Sequence, residues 1–149
     1  MRAWLALRAA DFDFQEQIVD IRLPQRFEGL ARIGRISPSA SIPLLIVHDV
    51  AIFDSLAIME FANDLVSGEL LPANALARAQ ARSIVAWQHA GLSGICRRIS
   101  FESSFYPNKR RLTSNEISGC NRLFGHLDQV LSTNDGHSFS GTPQLPILH

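Results

Sequence analysis

Two adjacent polar residues, Asp54 and Ser55, stand where an apolar run ends and a helical pattern begins. Both are good N-cap residues, because a side-chain oxygen at that position accepts a hydrogen bond from an N–H group of the first turn. A helix N-terminus also presents unpaired N–H groups and the positive end of the helix dipole, so it can receive an anionic group. For either residue taken alone, plain helix capping is the alternative interpretation.

A proline, Pro43, stands at the start of the apolar run that precedes this pair. Because its φ is fixed and it has no N–H group, proline is confined to the first residue, the edge or a bulge of a strand. Ile42 to Val47 is rich in aliphatic and β-branched residues, His48-Asp49 supplies turn chemistry, and Val50 to Phe53 is a second apolar run. The pattern predicts a β-hairpin with strands near Leu44 to Val47 and Ala51 to Phe53.

A helix is predicted directly after the hairpin, since apolar residues recur there at helical spacing. They are Leu56, Met59, Ala62, Leu65 and Val66. Ser67-Gly68 ends this helix, because glycine readily adopts the backbone conformation of a helix C-terminus.

Five further elements complete the predicted organisation. Arg2 to Ala10 is predicted to be a helix, Phe12 to Ile21 a strand with its core at Phe14 to Asp20, and Phe27 to Ile33 a short helix. Two long amphipathic helices are predicted from Asn74 to about Arg98 and from Ser114 to Leu131. Small and apolar residues mark one stripe on each helix: Ala77, Ala81, Ile84, Gly91 and Ile95 on the first, and Ile117, Cys120, Phe124, Leu127 and Leu131 on the second.

A composition shift divides the chain near Leu71-Pro72-Ala73-Asn74, which reads as a linker followed by a helix cap. We therefore predict an α/β domain over residues 1–70 and an α-helical domain over residues 74–149. The second domain ends in an irregular tail, because periodicity is lost from Ser132 onward.

Composition and charge exclude several classes of protein. The 149 residues carry 14 basic and 14 acidic side chains, so there is no electrostatic footprint for nucleic acid or an anionic membrane. The basic clusters Arg97-Arg98 and Lys109-Arg110-Arg111 are short and are interpreted as solvated surface. No apolar run reaches the roughly 18 residues that span a bilayer, and Met1-Arg2 does not open a secretory signal. A cytoplasmic location is expected.

The two cysteines, Cys96 and Cys120, are too few and too far apart to indicate a disulfide framework or a metal site. Nothing else clusters around them with metal-ligand spacing. Buried thiols are predicted for both, and no metal is expected.

The hairpin region resembles the glutathione-binding half of the glutathione S-transferase family. The matching residues are Ile-Pro-Leu-Leu from Ile42, the hairpin, and Asp-Ser-Leu-Ala-Ile from Asp54. The resemblance implies a thioredoxin-like domain with a cis bond between Ile42 and Pro43. It also implies that the backbone of Ile42 pairs with glutathione as a strand would, while Asp54 and Ser55 hold the γ-glutamyl carboxylate and ammonium.

The segment LLPANALARAQARSIVAWQHAGLSGI resembles the start of the helical domain in a bacterial branch of these transferases, similar to maleylacetoacetate isomerases. His89-Ala90-Gly91 matches a His-Ser-Gly motif of that branch, whereas Ser100-Phe101-Glu102 does not match its Pro-Met-Asn. His89 either lines the cleft for a second substrate or is satisfied inside a helix interface.

Measured against the family, the chain is expected to be incomplete at its N-terminal end and also at its C-terminal end. The resemblance implies a first strand in the centre of the sheet and, after it, a motif whose serine hydrogen-bonds the glutathione thiolate. Both would lie upstream of Met1. No catalytic residue is therefore assigned in this sequence. Ser41 stands where many relatives carry a lysine, and Ala40 where they carry a glycine. The fold class expected is therefore an incomplete thioredoxin-like α/β domain followed by a partial helical bundle.

Three functions remain open at this point. The first is an enzyme that binds glutathione as co-substrate and transfers its thiolate to a small electrophile, or catalyses a cis-trans isomerisation. The second is an inactive remnant or non-enzymatic glutathione-binding module, and the third is an unrelated α/β interaction domain. The resemblance also implies a homodimer.

Overall fold

A computed structural model describes residues 1–21, 24–91, 99, 105 and 111–133. The chain divides into two compact units, Met1–Leu70 and Leu71–His149. In the described part of the first unit, three helices accompany a two-stranded antiparallel sheet: α1 Arg2–Ala9, α2 Arg26–Gly34, β1 Leu44–Val47, β2 Val50–Phe53 and α3 Ser55–Leu65. The described part of the second unit contains α4 Ala75–Ala86, the π-helix Trp87–Gly91 that continues it, and α5 Ser114–Thr133.

The core of the first unit lies between α1 and α3. Ala3 and Leu7 of α1 recur one helical turn apart and are buried against Ile58 and Ala62 of α3. Ile58 is only 1% exposed, and full burial of such a side chain is worth about 1.5–3 kcal/mol. This packing fixes α3, and with it the end of the hairpin that leads into α3.

The hairpin forms as the sequence predicts. Its register pairs Leu44 with Phe53 and Val47 with Val50, which leaves His48-Asp49 as a two-residue loop. His48 has a φ of +51°, the sign that the first position of such loops requires. Leu45 and Ile52, which face each other, pack against the core.

Local capping chemistry sets the helix ends. Asn74 Oδ1 accepts hydrogen bonds from the N–H groups of Leu76 at 2.9 Å and Ala77 at 3.1 Å, so the predicted cap is confirmed. At the start of α5, Thr113 N–H donates to Glu116 Oε2 at 2.8 Å while Glu116 N–H donates to Thr113 Oγ1 at 3.4 Å. This reciprocal pair is a capping box, which the sequence analysis missed.

The predicted strand at Phe14 to Asp20 is wrong, because the segment has no regular secondary structure. A strand needs a neighbour for its backbone hydrogen bonds, and the only ladder among the described residues joins β1 to β2. Side chains hold the segment instead. The guanidinium carbon of Arg8 lies 4.6 Å from the centroid of the Phe14 ring, and Trp4 Nε1 donates to Glu16 Oε1.

Phe12, which precedes this segment, is also held by a side-chain contact. The ring of Phe12 meets that of Phe61 edge to face, with centroids 5.9 Å apart. Further along, Ile18 is 92% exposed, so the alternating pattern reflects side-chain anchoring at its start and not a buried strand face.

Within the described residues, helices occur where predicted as far as Gly91 and again over Ser114–Thr133, whereas the predicted end near Arg98 lies outside those residues. The predicted apolar stripes are only partly covered. No residue of α4 is buried. In α5 the buried positions are Glu116 and Gly119, whereas Ile117 and Phe124 of the predicted stripe are exposed. Within the described residues, periodicity therefore located the helices and misjudged the face of α5 that is covered.

Several predictions fall on residues outside the described part of the chain. They concern Ile95, Cys96, Arg97-Arg98, Ser100-Phe101-Glu102, Lys109-Arg110 and the tail beyond Thr133. Cys120, predicted to be buried, is a free and only half-buried thiol. Within the described ranges, no helix has the length and apolarity that crossing a bilayer requires.

Candidate functional site

The register of the hairpin brings two of the predicted site residues to the same end of the sheet. Leu44 and Phe53 are paired, so Pro43 and Asp54, the next residue outward on each strand, flank the same end. Pro43, Ile42 and Asp54 are all exposed there. The structure thus places Ile42-Pro43 beside the start of α3.

Asp54 is the N-cap of α3. Its Oδ1 accepts a hydrogen bond from the N–H group of Leu56 at 2.7 Å, and its carbonyl oxygen accepts one from Ile58 N–H at 3.2 Å. The residue has φ +78° and ψ +134°, a region that costs a side-chain-bearing residue about 1–3 kcal/mol and that is concentrated at functional sites. Asp54 is therefore a strained, exposed carboxylate fixed at a helix start.

Donors for an anion remain at the N-terminus of α3. The N–H group of Leu56 is taken by the cap, whereas those of Ser55 and Ala57 have no acceptor within the described residues. They lie at the positive end of an 11-residue helix that has no acidic residue in its first turn. An anionic group can be received there by backbone donors without any basic side chain.

Ser55 differs from its neighbour. It is only 7% exposed, so the side chains of the predicted pair differ in accessibility. Asp54 presents its side chain at the surface, whereas that of Ser55 is buried.

The Ile42-Pro43 peptide bond is cis, as the family resemblance implies. The preceding loop runs from the end of α2 to Ser41. Ala40 has a φ of +44°, the left-handed region in which glycine is usual, and this is the position where the resemblance expects glycine.

A buried serine, Ser37, stabilises the same loop. The sequence pattern was not used to predict this role. Ser37 is almost fully buried; its N–H group donates to the carbonyl of Ile33 at 2.9 Å, and its Oγ lies 2.9 Å from Ser39 Oγ. The Ser-Pro-Ser pattern was a usable signal, since serine hydroxyls commonly bond the backbone of turns. Ser37 therefore helps to hold the loop that leads to Ile42.

The remaining candidates from the sequence lie in the second unit. His89 is half-buried in the π-helix Trp87–Gly91, and its role in a cleft stays a prediction. Among the described residues, no group of histidine, cysteine and acidic side chains could hold a metal ion.

Part of the chain is similar in sequence to a known family of proteins. Residues 1–65 match the family model described as glutathione S-transferase, N-terminal domain. A search of the curated protein sequences found no match.

Two solved structures show the same fold. One is an epsilon-class glutathione S-transferase from the housefly, Musca domestica, with a TM-score of 0.68 and 21% identity over 87% of this chain. The other is glutathione S-transferase 1-6 from Anopheles dirus species B, with a TM-score of 0.68 and 13% identity over 89% of this chain. This chain covers 60% and 61% of those two chains.

These findings confirm the predicted fold class: a thioredoxin-like N-terminal domain followed by a helical region, the fold of the two glutathione S-transferase structures. The family match contains all four predicted site residues, Ile42, Pro43, Asp54 and Ser55. The specific bacterial branch and the role of each residue stay predictions.

Proposed function

We propose that this chain is a glutathione S-transferase-like protein of the cytoplasm that binds glutathione beside the start of α3. One observation carries the proposal: the hairpin register sets the exposed Ile42-Pro43 next to the capped, donor-bearing N-terminus of α3. This occurs inside the segment that matches the family model.

Each part of the proposed site suits one part of glutathione. The N–H groups of Ser55 and Ala57 receive the γ-glutamyl carboxylate, and the carboxylate of Asp54 meets the neighbouring ammonium. The backbone of Ile42 pairs with the peptide portion as an added strand would. Hydrogen bonds to charged groups are worth about 1.5–3 kcal/mol each, so the two charged ends of the γ-glutamyl group dominate recognition.

The reacting group after binding is the thiol of glutathione. In the proposed reaction the glutathione thiol loses its proton and the thiolate forms a C–S bond with an electrophilic carbon of a small second substrate; either the carbanion then takes up a proton, or a leaving group such as halide departs with its electron pair. In a cis-trans isomerisation like that of maleylacetoacetate isomerase, the thiolate adds, the carbon–carbon bond rotates and the thiolate is eliminated again. The residues proposed here hold and orient glutathione, which raises the rate by placing the sulfur near its target.

A second candidate function is glutathione binding without turnover. The proposed site favours this function because only one of its four residues, Ser55, has a hydroxyl group, and Ser55 is buried. A hydroxyl that stabilises the thiolate has to reach the sulfur, and its loss typically costs about 100- to 1000-fold in rate.

Binding is tested by calorimetric titration of the 149-residue chain with glutathione. We expect saturable binding, and Asp54→Asn should weaken it by about tenfold, or about 1.4 kcal/mol, because asparagine preserves the cap and removes the charge. The matched control is Asp64→Asn, which removes the same charge from an exposed residue near the other end of α3. Absence of binding, or equal weakening by both variants, would contradict the proposal.

Turnover separates the two candidates. Conjugation of glutathione to an activated aryl halide is measured with the same chain and with Asp54→Asn. Glutathione-dependent turnover that falls with Asp54→Asn supports the transferase, whereas binding without turnover supports the binding module.

A further inference from the structure

Two aromatic side chains of the second unit join its π-helix to α5. Trp87 is the first residue of the π-helix, and its ring lies 5.3 Å from the ring of His126, centroid to centroid, with an interplanar angle of 83°. In such an edge-to-face pair, the positively polarised edge of one ring meets the negatively polarised face of the other. One partner in this contact is therefore a side chain that can acquire a full positive charge.

His126 is accessible to solvent protons. Its side chain is exposed, whereas that of Trp87 is half-buried. Histidine ordinarily changes its charge between pH 5 and 8, and His126 can take up a proton from water while its ring stays against the indole. Protonation turns the aromatic pair into a cation–π pair, for which the indole ring is the best aromatic partner.

The charged groups of α5 supply no carboxylate to compete with this contact. Side chains share a helix face with His126 when they lie three or four positions away, and those positions hold Arg122, Leu123, Gln129 and Val130. Asp128 is two positions away and does not face His126. Glu116 lies almost three helical turns earlier, in the capping box of α5.

The elements on the other side of the contact are also without acidic residues. The titratable and charged side chains of α4 and the π-helix are those of Arg78, Arg82 and His89. Arg78 donates from Nη1 to the carbonyl oxygens of Pro72 at 3.0 Å and Ala73 at 2.8 Å. Within these described elements, the favourable partner for a positive charge on His126 is therefore the face of the Trp87 indole.

We propose that protonation of His126 strengthens its contact with Trp87, so that the π-helix and α5 are held together more firmly at acidic than at alkaline pH. The contact then acts as a pH-sensitive joint in the second unit. It holds the π-helix that carries His89, and π-helices are elements that frequently occur at functional sites. This joint goes beyond the proposed glutathione site and uses none of its residues.

Amide hydrogen exchange of the full chain at about pH 5.5 and about pH 8, corrected for the pH dependence of the chemical exchange rate, tests the proposal. We expect protection factors in the π-helix and the middle of α5 to be about two- to fivefold higher at the lower pH, the ratio typical of an exposed cation–π contact. His126→Gln should abolish this difference, because glutamine cannot be protonated in this range.

His89→Gln is the matched control, since it removes a histidine from the same π-helix two positions from Trp87. The difference in protection between the two pH values should persist in this variant. A difference that survives in His126→Gln, is lost equally in His89→Gln, or has the opposite sign would overturn the proposal.

Proton NMR tests the same contact in the native state, independently of any change in stability. The indole N–H resonance of Trp87 should move through a single transition as the pH is raised across the histidine range, together with the ring resonances of His126. The transition should be absent in His126→Gln. Trp4 lies in the other unit and provides the reference resonance. A Trp87 resonance that stays fixed, or that moves equally in His126→Gln, would rule out a joint controlled by His126.

Discussion

The side chain and the backbone conformation of Asp54 have opposite effects on the stability of the fold. Its side chain caps α3 with the 2.7 Å hydrogen bond to Leu56, whereas its φ of +78° is unfavourable for any residue with a Cβ atom. A residue selected for stability alone would be glycine, which tolerates this backbone and still serves as an N-cap. The carboxylate is therefore best explained by the ligand that we propose it contacts.

Replacing Asp54 by glycine should separate stability from binding. We expect Asp54→Gly to raise the free energy of unfolding by about 0.5–1 kcal/mol. Relief of the strained φ contributes more than the few tenths of a kcal/mol that are lost when glycine replaces the capping side chain. Asp54→Ala keeps the strain and loses the cap, so it should lower stability by about 1 kcal/mol. Urea denaturation measures both, and glutathione titration should show weaker binding for each. A less stable Asp54→Gly protein would mean that the strain is small.

Ala40 offers a second test of backbone conformation. Its φ of +44° is disfavoured for alanine by about 1–2 kcal/mol. Ala40→Gly removes this cost. Part of the stabilisation is offset by the greater freedom of glycine in the unfolded chain, so the variant should be more stable by about 0.5–1 kcal/mol. The same change at Ala57, an exposed helical position of α3, should destabilise it by about 1 kcal/mol. Thermal unfolding that shifts Tm in the same direction for both would contradict this account.

The elements that could be predicted from the sequence are those specified by nearby residues. The hairpin follows from its two apolar runs and the His48-Asp49 turn, and α3 and α4 begin where Asp54 and Asn74 cap them. At the site, the position of Asp54 was predictable from its capping chemistry, whereas the burial of Ser55 was not. Burial depends on the packing of α3 against α1, which no local pattern encodes.

The segment from Phe14 to Asp20 shows why other elements could not be predicted. Alternating apolar residues are compatible with a strand, but the strand exists only if another strand supplies its hydrogen bonds. In the structure, Arg8 and Trp4 of α1 anchor the segment through side-chain contacts. The sequence pattern carries no information about this choice between backbone pairing and side-chain anchoring.

The packing of α2 against the same segment can be tested through Gly29. A Cβ atom added there would lie 2.8 Å from Val19 Cγ1 and 3.2 Å from the carbonyl oxygen of Asp20. Gly29→Ala should therefore destabilise the protein by about 1–3 kcal/mol despite the higher helix propensity of alanine. Gly125→Ala in α5, where a Cβ atom meets nothing within 4 Å, should instead stabilise it by up to about 1 kcal/mol. Chemical denaturation of the two variants provides the comparison, and a neutral Gly29→Ala would show that α2 and the segment are loosely packed.

The two units of the molecule differ in how they are stabilised. The first has a core centred on Ile58 and Ala62, whereas α4 of the second has no buried residue and begins at its Asn74 cap. Tertiary packing therefore supplies most of the stability of the first unit, whereas local interactions within the helix contribute more to the stability of α4.

Hydrogen exchange should reveal this difference. Ile58→Ala should cost about 2–5 kcal/mol by opening a cavity and should reduce amide protection throughout α1 and α3. Asn74→Ala should cost about 1 kcal/mol, with faster exchange concentrated in the first turn of α4. Loss of protection confined to the neighbours of residue 58 would show that the first unit does not unfold cooperatively.

The chain contains two tryptophans, and one falls in each unit. The indole of Trp4 lies beside Arg8 and donates to Glu16, whereas that of Trp87 meets the His126 ring edge to face at a centroid distance of 5.3 Å. Each indole thus lies beside different polar groups. A chain with Trp4→Phe or Trp87→Phe keeps one tryptophan, so tryptophan emission, excited selectively over the single tyrosine, becomes an optical reporter of one unit at a time.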